Sequence, residues 1–270
     1  MALNPSSPSW AIPQGRVEGR NAMPRIRADL LLVERGLFES RAKARAAIEA
    51  GGVTADGVVV TRAAQMIEAD AAVLAEPAHR WVGRGALKLD HALSVWPVDV
   101  VGRVVLDLGA STGGFTEVCL ARGASRVFAV DVGHGQLHPR LAADPRVVDL
   151  SGTDARELGA GLIEEAPTLV VCDASFIGLA KLLPVPLSLA AAGADLIALV
   201  KPQFELAPAD IGKGGLVREP EKRAAALAAV IEALDGWGWT TRASVESPIR
   251  GGEGAVEYLL WASQTPRGGA

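Results

Sequence analysis

At 270 residues, the chain is long enough for one large domain or for a small domain joined to a medium one. With 49% hydrophobic and 21% charged residues it can build a buried core, which excludes a chain disordered throughout. Its net charge of −4 is uneven: residues 1–88 hold 12 Lys+Arg against 9 Asp+Glu, and residues 89–270 hold 15 against 22. A basic front joined to an acidic body predicts two modules and makes the front the better landing place for a polyanion.

Other classes fall away quickly. The two cysteines, Cys119 and Cys172, lie in apolar stretches without a C-x-x-C pair, against a disulfide scaffold, a zinc ribbon or an iron–sulfur site. The longest apolar candidate, 182–200, is broken by two prolines, a glycine and Asp195, so no bilayer span is expected. No basic start followed by an apolar segment reads as a secretory signal. These features fit a monomer in a reducing cytoplasm, with no membrane partner.

Residues 1–22 read as a disordered tail punctuated by Pro5, Pro8, Pro13 and Gly15. Met23 precedes the first patterned segment, and the reading makes it a candidate start. From Arg27 the pattern is helical, with Leu30, Leu31, Val33 and Leu37 forming a stripe that Gly36 breaks. Ser40 is suited to cap a second helix over 41–50, which Gly51 ends. Val53-Thr54, a turn at Asp56-Gly57 and Val58-Val59-Val60 then predict a β-hairpin. Arg35, Arg41, Lys43 and Arg45 lie on or just before the second helix, and Arg41 and Arg45 share a face.

The stretch RADLLLVERGLFESRAKARAAIEAGGVTADGVVV resembles the S4 RNA-binding domain. The resemblance covers about 25–85 and implies a small α+β domain over 23–82. It also implies RNA contacts from Arg27, Arg35, Arg41, Lys43 and Arg45. Neutralising phosphates with such a face gives salt-dependent binding of weak sequence preference.

Residues 81–96 bridge to the second module, with an amphipathic helix around Lys88. Strands are then predicted over 103–108, 126–130, 146–148, 168–171 and 195–200, with helices over 112–122 and 219–234. Two closing strands, 239–245 and 255–262, read as an antiparallel pair. Alternation of this kind argues for an α/β fold with a parallel sheet.

Val105-Leu106-Asp107-Leu108-Gly109-Ala110-Ser111-Thr112-Gly113-Gly114 carries an apolar strand into a glycine turn that opens a helix. Glycines let backbone approach a ligand closely, and the helix start offers unpaired N–H groups. The pattern is neither the dinucleotide G-x-G-x-x-G nor a P-loop. It resembles motif I of class I S-adenosylmethionine (SAM) methyltransferases. That resemblance implies a Rossmann-like sheet, SAM as cofactor, and cofactor contacts from Asp107, Gly109, Ser111, Gly113 and Gly114. It also implies that Asp131, ending the next strand, accepts the ribose hydroxyls and that Asp154 meets the adenine.

Four further residues follow in order: Lys88, Asp173 in CDASF, Lys201 in LVKPQFE, and Glu257 in the last strand, in GAVEY. Asp173 and Lys201 end strands, where ligands bind in open α/β sheets. The set resembles the Lys-Asp-Lys-Glu tetrad of FtsJ-like 2′-O-ribose methyltransferases. The whole span 23–263 resembles the TlyA family, historically called hemolysin A, which joins an S4 domain to an FtsJ-like domain, here 83–265. Its implied activity is ribosomal RNA cytidine 2′-O-methylation, on free RNA or on ribosomal subunits, with no metal. A free lysine, with a pKa of roughly 10.4, is a poor base near neutrality. Burial and a second ammonium favour its neutral form. Lys201 is therefore expected as the base, Lys88 as the second ammonium beside it, and Asp173 and Glu257 as their holders. His134 and His138 read as surface residues, not ligands. The competing readings are a non-catalytic RNA-binding module and a membrane-acting hemolysin; an intact tetrad argues against the first, and the lack of a span or long basic amphipathic helix against the second.

Overall fold

The computed structural model describes residues 24–265, and the chain divides into two compact units that part between Arg80 and Trp81. The tail expected at 1–22 and the candidate start at Met23 lie outside the described residues.

The small unit runs β1 (Arg25–Arg27), α1 (Ala28–Glu34), α2 (Arg41–Glu49), β2 (Val53–Ala55), β3 (Val58–Val59), β4 (Met66–Glu68) and β5 (Val73–Ala75). β1 pairs with β4, and β3-β2-β5 form a second antiparallel sheet. Ser40 caps α2, its hydroxyl accepting from the Lys43 N–H at 3.3 Å. The turn carries Asp56 and Gly57 at positive φ, as expected for a hairpin. Asp56 gains a further role: Oδ1 accepts from the Ala72 N–H at 2.8 Å and ties the turn to β5. Leu31, Leu32, Phe38, Ile48, Val53 and Ile67 form the core between the helices and the strands. Asp29, in the first turn of α1, is buried and receives both the Arg27 guanidinium and the Arg41 guanidinium, each at 2.9 Å. The hydrogen bond from Arg27, helped by Arg41, holds its carboxyl down at about 2. One buried carboxylate thus locks α1 to α2.

The large unit runs α3 (Ala86–Val95), β6 (Val104–Leu108), α4 (Gly114–Ala121), β7 (Arg126–Asp131), α5 (Pro139–Ala142), β8 (Val147–Ser151) and β9 (Leu169–Cys172). It continues with α6 (Leu179–Leu182), α7 (Pro184–Ser188), β10 (Asp195–Val200), α8 (Pro202–Glu205), α9 (Pro220–Gly236), β11 (Trp239–Glu246) and β12 (Tyr258–Gln264). The sheet order is β11-β12-β10-β9-β6-β7-β8. Strands β10, β9, β6, β7 and β8 are parallel, and β12 and β11 close one edge antiparallel. From β6 the chain moves outward to β8, then returns to β9 on the other side of β6. This reversal opens a crevice at the carboxyl ends of β6 and β9, the place where such sheets bind ligands.

Both faces of the sheet are covered, so its central strands read as continuous apolar runs. Val105, Val127, Val171 and Ile197 pack on one face with Leu89, Val118 and Cys119. Leu106, Phe128, Val170 and Ala198 pack on the other with Leu183, Val230 and Leu234.

Several expected boundaries shift. The helix expected from residue 112 begins at Gly114, because Gly113 takes a left-handed conformation that helix interiors do not hold. The last strand begins at Tyr258 rather than at 255, because a tight loop, closed by a hydrogen bond from Gly251 N–H to Ala255 C=O, uses the preceding residues. Glu257 therefore stands just before β12, not within it.

Asp107 sits in the middle of this core with no exposed surface. Its Oδ2 accepts from Thr116 Oγ1 at 2.6 Å, while Oδ1 has no hydrogen-bond partner among the described residues. Burial pushes its carboxyl up to about 7 from an ordinary 3.8, against the opposing hydrogen bond from Thr116. Between those two pH values the unfolded chain has released a proton that the folded chain retains. Stability from this residue therefore falls as pH rises through that window. Asp107→Asn keeps an acceptor for Thr116 and removes the titration. Its thermal midpoint relative to the natural protein should be more favourable at pH 7.5 than at pH 4; the same difference at both would show that Asp107 does not titrate there.

Candidate active site

The glycine turn leaves β6 at Leu108. Gly109 has φ +79, and a Cβ there would lie 2.8 Å from the Ala174 Cα. The turn thus lies flush on the segment leaving β9, and only glycine fits. A Cβ on Gly113 would lie 2.3 Å from Leu141 Cδ1. Gly113 therefore packs against Leu137 and Leu141 behind the turn.

Two cavities flank Gly109. One of about 1000 Å³ is lined by Gly109, Ser111, Asp131, Asp154, Asp173 and Phe176, among others. The other, of about 410 Å³, is lined by Gly85, Lys88, Gly109, Lys201, Glu257 and Arg250, among others. Gly109, Ser111, Asp173 and Ser175 line both and form their common wall.

The residues expected at the cofactor separate into two groups. Gly109, Ser111, Asp131 and Asp154 line the larger cavity. Gly114 lines the smaller one, while Asp107 and Gly113 line neither and support the turn from behind. Asp131 Oδ2 accepts from the Ser111 N–H and Oδ1 from the Gly133 N–H, both at 2.8 Å. Each carboxylate oxygen keeps further acceptor capacity for a ligand. Asp154 caps a short 3₁₀ turn through the Arg156 N–H at 2.9 Å and pairs with the Arg156 guanidinium at 2.6 Å. That hydrogen bond to the guanidinium holds its carboxyl below the usual range.

The four expected catalytic residues meet in the smaller cavity. Lys88 on α3, Lys201 after β10 and Glu257 before β12 are all buried. The pairing of Val200 with Tyr258 across the β10–β12 ladder brings Lys201 and Glu257 to the same sheet edge. Lys88 Nζ lies 2.7 Å from Glu257 Oε2 and 3.5 Å from Asp173 Oδ2. Lys201 Nζ lies 2.7 Å from Asp173 Oδ1, and it donates to the Asp173 carbonyl at 3.1 Å and to Ser175 Oγ at 2.8 Å. The order is Glu257, Lys88, Asp173, Lys201. The sequence led us to expect Lys88 as the second ammonium beside Lys201; instead Asp173 stands between them and pairs with both.

The five basic residues expected on RNA lie in the small unit, and each has a protein partner. Arg27 and Arg41 converge on Asp29. Lys43 pairs with Glu39 at 2.6 Å and Arg45 with Glu49 at 2.7 Å, each four residues apart. Arg35 donates to the Ala69 and Ala71 carbonyls and so holds the end of α1 to the loop before β5. Its position is that of a brace. The structure brings Arg27 and Arg41 together but leaves Arg35 on a separate contact.

Sequence reasoning missed Ser175, the hydroxyl on Lys201, and Phe176. The Phe176 ring is 91% exposed at the cavity edge, its φ is +68, and it packs on Phe204 at 5.4 Å. Both stand within three residues of Asp173, so position in the motif was the available signal. It also missed Glu205, whose carboxylate accepts from the Leu179 N–H and holds the same loop; burial pushes its carboxyl up.

Residues 81–264 match the FtsJ-like methyltransferase family model, and residues 26–73 match the S4 domain. The 16S/23S rRNA (cytidine-2'-O)-methyltransferase TlyA of Mycobacterium tuberculosis is 46% identical over 90% of this chain and 92% of its own. Hemolysin A of Brachyspira hyodysenteriae is 35% identical over 87% of this chain and 98% of its own. A solved structure, "Putative hemolysin from Streptococcus thermophilus", superposes with a TM-score of 0.71 at 36% identity, covering 90% of each chain. No helix among the described residues is long and apolar enough to cross a membrane. The chain belongs to the FtsJ-like methyltransferases, within the TlyA family that joins an S4 domain to that fold.

Proposed function

We propose that the protein is a SAM-dependent RNA methyltransferase that modifies a cytidine 2′-hydroxyl of ribosomal RNA. The observation that carries this reading is the chain Glu257–Lys88–Asp173–Lys201, which lines the smaller cavity and reaches the wall shared with the larger one at Asp173. One cavity suits a nucleoside-sized donor and the other a ribose acceptor. The acceptor base and the ribosomal RNA come to this chain from the 46% identical TlyA protein.

The larger cavity fits SAM. Gly109 lets the turn lie against the segment leaving β9 and line the cavity with backbone, Asp131 offers acceptor capacity to ribose hydroxyls, and Asp154 in the same lining is the candidate for the adenine. When bound, SAM supplies a methyl group activated by a cationic sulfur. Lys201 takes the proton of the acceptor hydroxyl at Nζ. Nζ is held by the Asp173 carbonyl and Ser175 Oγ, with Asp173 Oδ1 2.7 Å away. Asp173 and Glu257 fix both lysines, and positioning in a buried site contributes most of the acceleration. The exposed Phe176 ring offers a face on which an unstacked base can lie.

The first test is transfer of labelled methyl from SAM to undermethylated ribosomal subunits, with the product nucleoside identified by mass. A 2′-O-methylcytidine is expected; SAM binding without transfer to any subunit or free ribosomal RNA would remove the ribosomal substrate. Lys201→Ala should lower transfer by about 10²-fold or more, with SAM and RNA affinities nearly unchanged. Loss of either affinity instead would make Lys201 a ligand contact. In the small unit, Arg45→Ala removes a charge paired with the exposed Glu49 and leaves Asp29 untouched. It should weaken RNA binding and reduce the slope of log affinity against log salt by about 1. An unchanged slope would place the RNA footprint elsewhere.

A further inference from the structure

The smaller cavity holds more positive charge than its catalytic chain uses. Its lining includes Lys88, Lys201, Arg84 and Arg250 against Asp173 and Glu257. The two carboxylates are engaged by the two lysines. Two guanidinium groups remain that no carboxylate of the lining engages.

Both arginines are fixed to the catalytic floor through their glycine neighbours. Arg84 stands between Gly83 and Gly85. A Cβ on Gly83 would lie 2.8 Å from Thr112 Oγ1, and one on Gly85 would lie 3.2 Å from Asp173 Oδ2. Arg250 precedes Gly251, where a Cβ would lie 2.2 Å from Glu257 Oε1. Each arginine is thus one residue from a glycine seated on a catalytic carboxylate. The Arg84 guanidinium donates to the Arg250 carbonyl and joins the two segments across 166 residues of chain. Arg250 itself pairs with Glu246 at 3.1 Å, with both side chains about half exposed. Such an exposed pair is weak and easily exchanged for a stronger anion. A guanidinium has five N–H donors, so neither contact exhausts its capacity.

We propose that Arg84 and Arg250 form a phosphodiester-binding pair at the acceptor cavity, holding the RNA phosphate on the 3′ side of the methylated ribose. The inference rests on reading this cavity as the acceptor site. In RNA the 3′-phosphodiester is attached to the carbon next to the one that bears the 2′-hydroxyl. A ribose presented to Lys201 therefore brings a phosphate with it. The planar fork of arginine matches two phosphate oxygens, which a lysine ammonium does not. Seating that phosphate fixes the ribose, so the pair are positioning residues and take no proton.

The test uses the full chain with undermethylated ribosomal subunits, comparing Arg84→Ala, Arg250→Ala and Arg84→Lys with the natural protein. Each alanine variant should lower kcat/KM for subunits by about tenfold or more and reduce the salt slope of subunit binding by about 1, while SAM affinity stays within about twofold. Arg84→Lys should restore the salt slope but not the full rate. A purely structural role would move the thermal midpoint and SAM affinity and leave the slope unchanged, and that result overturns the proposal. Transfer by the natural protein with unaltered slopes in both alanine variants also overturns it and leaves the methyltransferase reading standing. Absence of transfer by the natural protein removes that reading, and the phosphate pair with it.

Discussion

Asp173 is the residue on which the rest of the site depends. Its two carboxylate oxygens face two buried ammonium groups, Lys201 at 2.7 Å and Lys88 at 3.5 Å. Burying Lys88, Lys201 and Glu257 costs several kcal/mol per ion, which close pairing offsets. The chain from Glu257 to Lys201 provides that pairing by alternating sign. Removing Asp173 leaves two ammonium groups without the anion between them, whereas removing Glu257 strips one contact from Lys88. The arrangement is therefore rigid in a way a single ion pair is not. It also fixes where Lys201 Nζ points, with Ser175 and the Asp173 carbonyl as further stops.

The sheet makes this arrangement possible. Asp173 follows β9, Lys201 follows β10 and Glu257 precedes the antiparallel β12, so all three emerge at one edge. Lys88 arrives from α3, whose Ala86, Leu89, Ala92 and Leu93 are buried. An apolar face thus sets the height of a cation that would otherwise stay in water. The reversal between β6 and β9 then opens the crevice beside these residues. Gly109 is the thinnest part of the wall, where backbone meets backbone with no room for a Cβ. A thin wall is what a group transfer between two cavities requires.

Much of this was legible because the large unit writes its chemistry at strand ends. Apolar runs such as Asp195–Val200 mark a strand buried on both faces, and the polar residue that follows marks the edge. Less was legible in the small unit. Strands β1, β4 and β5 are three residues long with mixed burial, too short for a period to show. The roles of Arg27, Arg35 and Arg41 were also hidden, since one buried carboxylate and two loop carbonyls claim them only once the chain has folded. Asp107 and Gly113 belong to the glycine motif, yet both face away from the cavities. Spacing identifies a turn but not which side of it each residue supports. The position of Glu257 before β12 depended on a loop closed by Gly251 and Ala255, which no alternation of side chains encodes.

Charge is distributed differently in the two units, and this bears on how each meets a polyanion. In the small unit, Arg27, Arg35, Arg41, Lys43 and Arg45 all have protein partners. Those pairs on the exposed helix face are weak in water, so a phosphate can compete for the guanidinium without a large loss. The pairs on Asp29 are another matter, because that carboxylate is buried and its loss of partners would strand a charge. Exposed Arg45 and half-buried Lys43 are thus the residues free to exchange partners, while Arg27 and Arg41 must keep theirs or share them. A bound phosphate next to Arg41 would be read through its unused donors, with Asp29 left in place. The same logic operates at the acceptor cavity. There Lys88 and Lys201 are held by buried carboxylate contacts, while Arg84 and Arg250 keep most of their five donors unused. In both units, buried pairs set the shape and the exposed cations are the ones able to exchange partners.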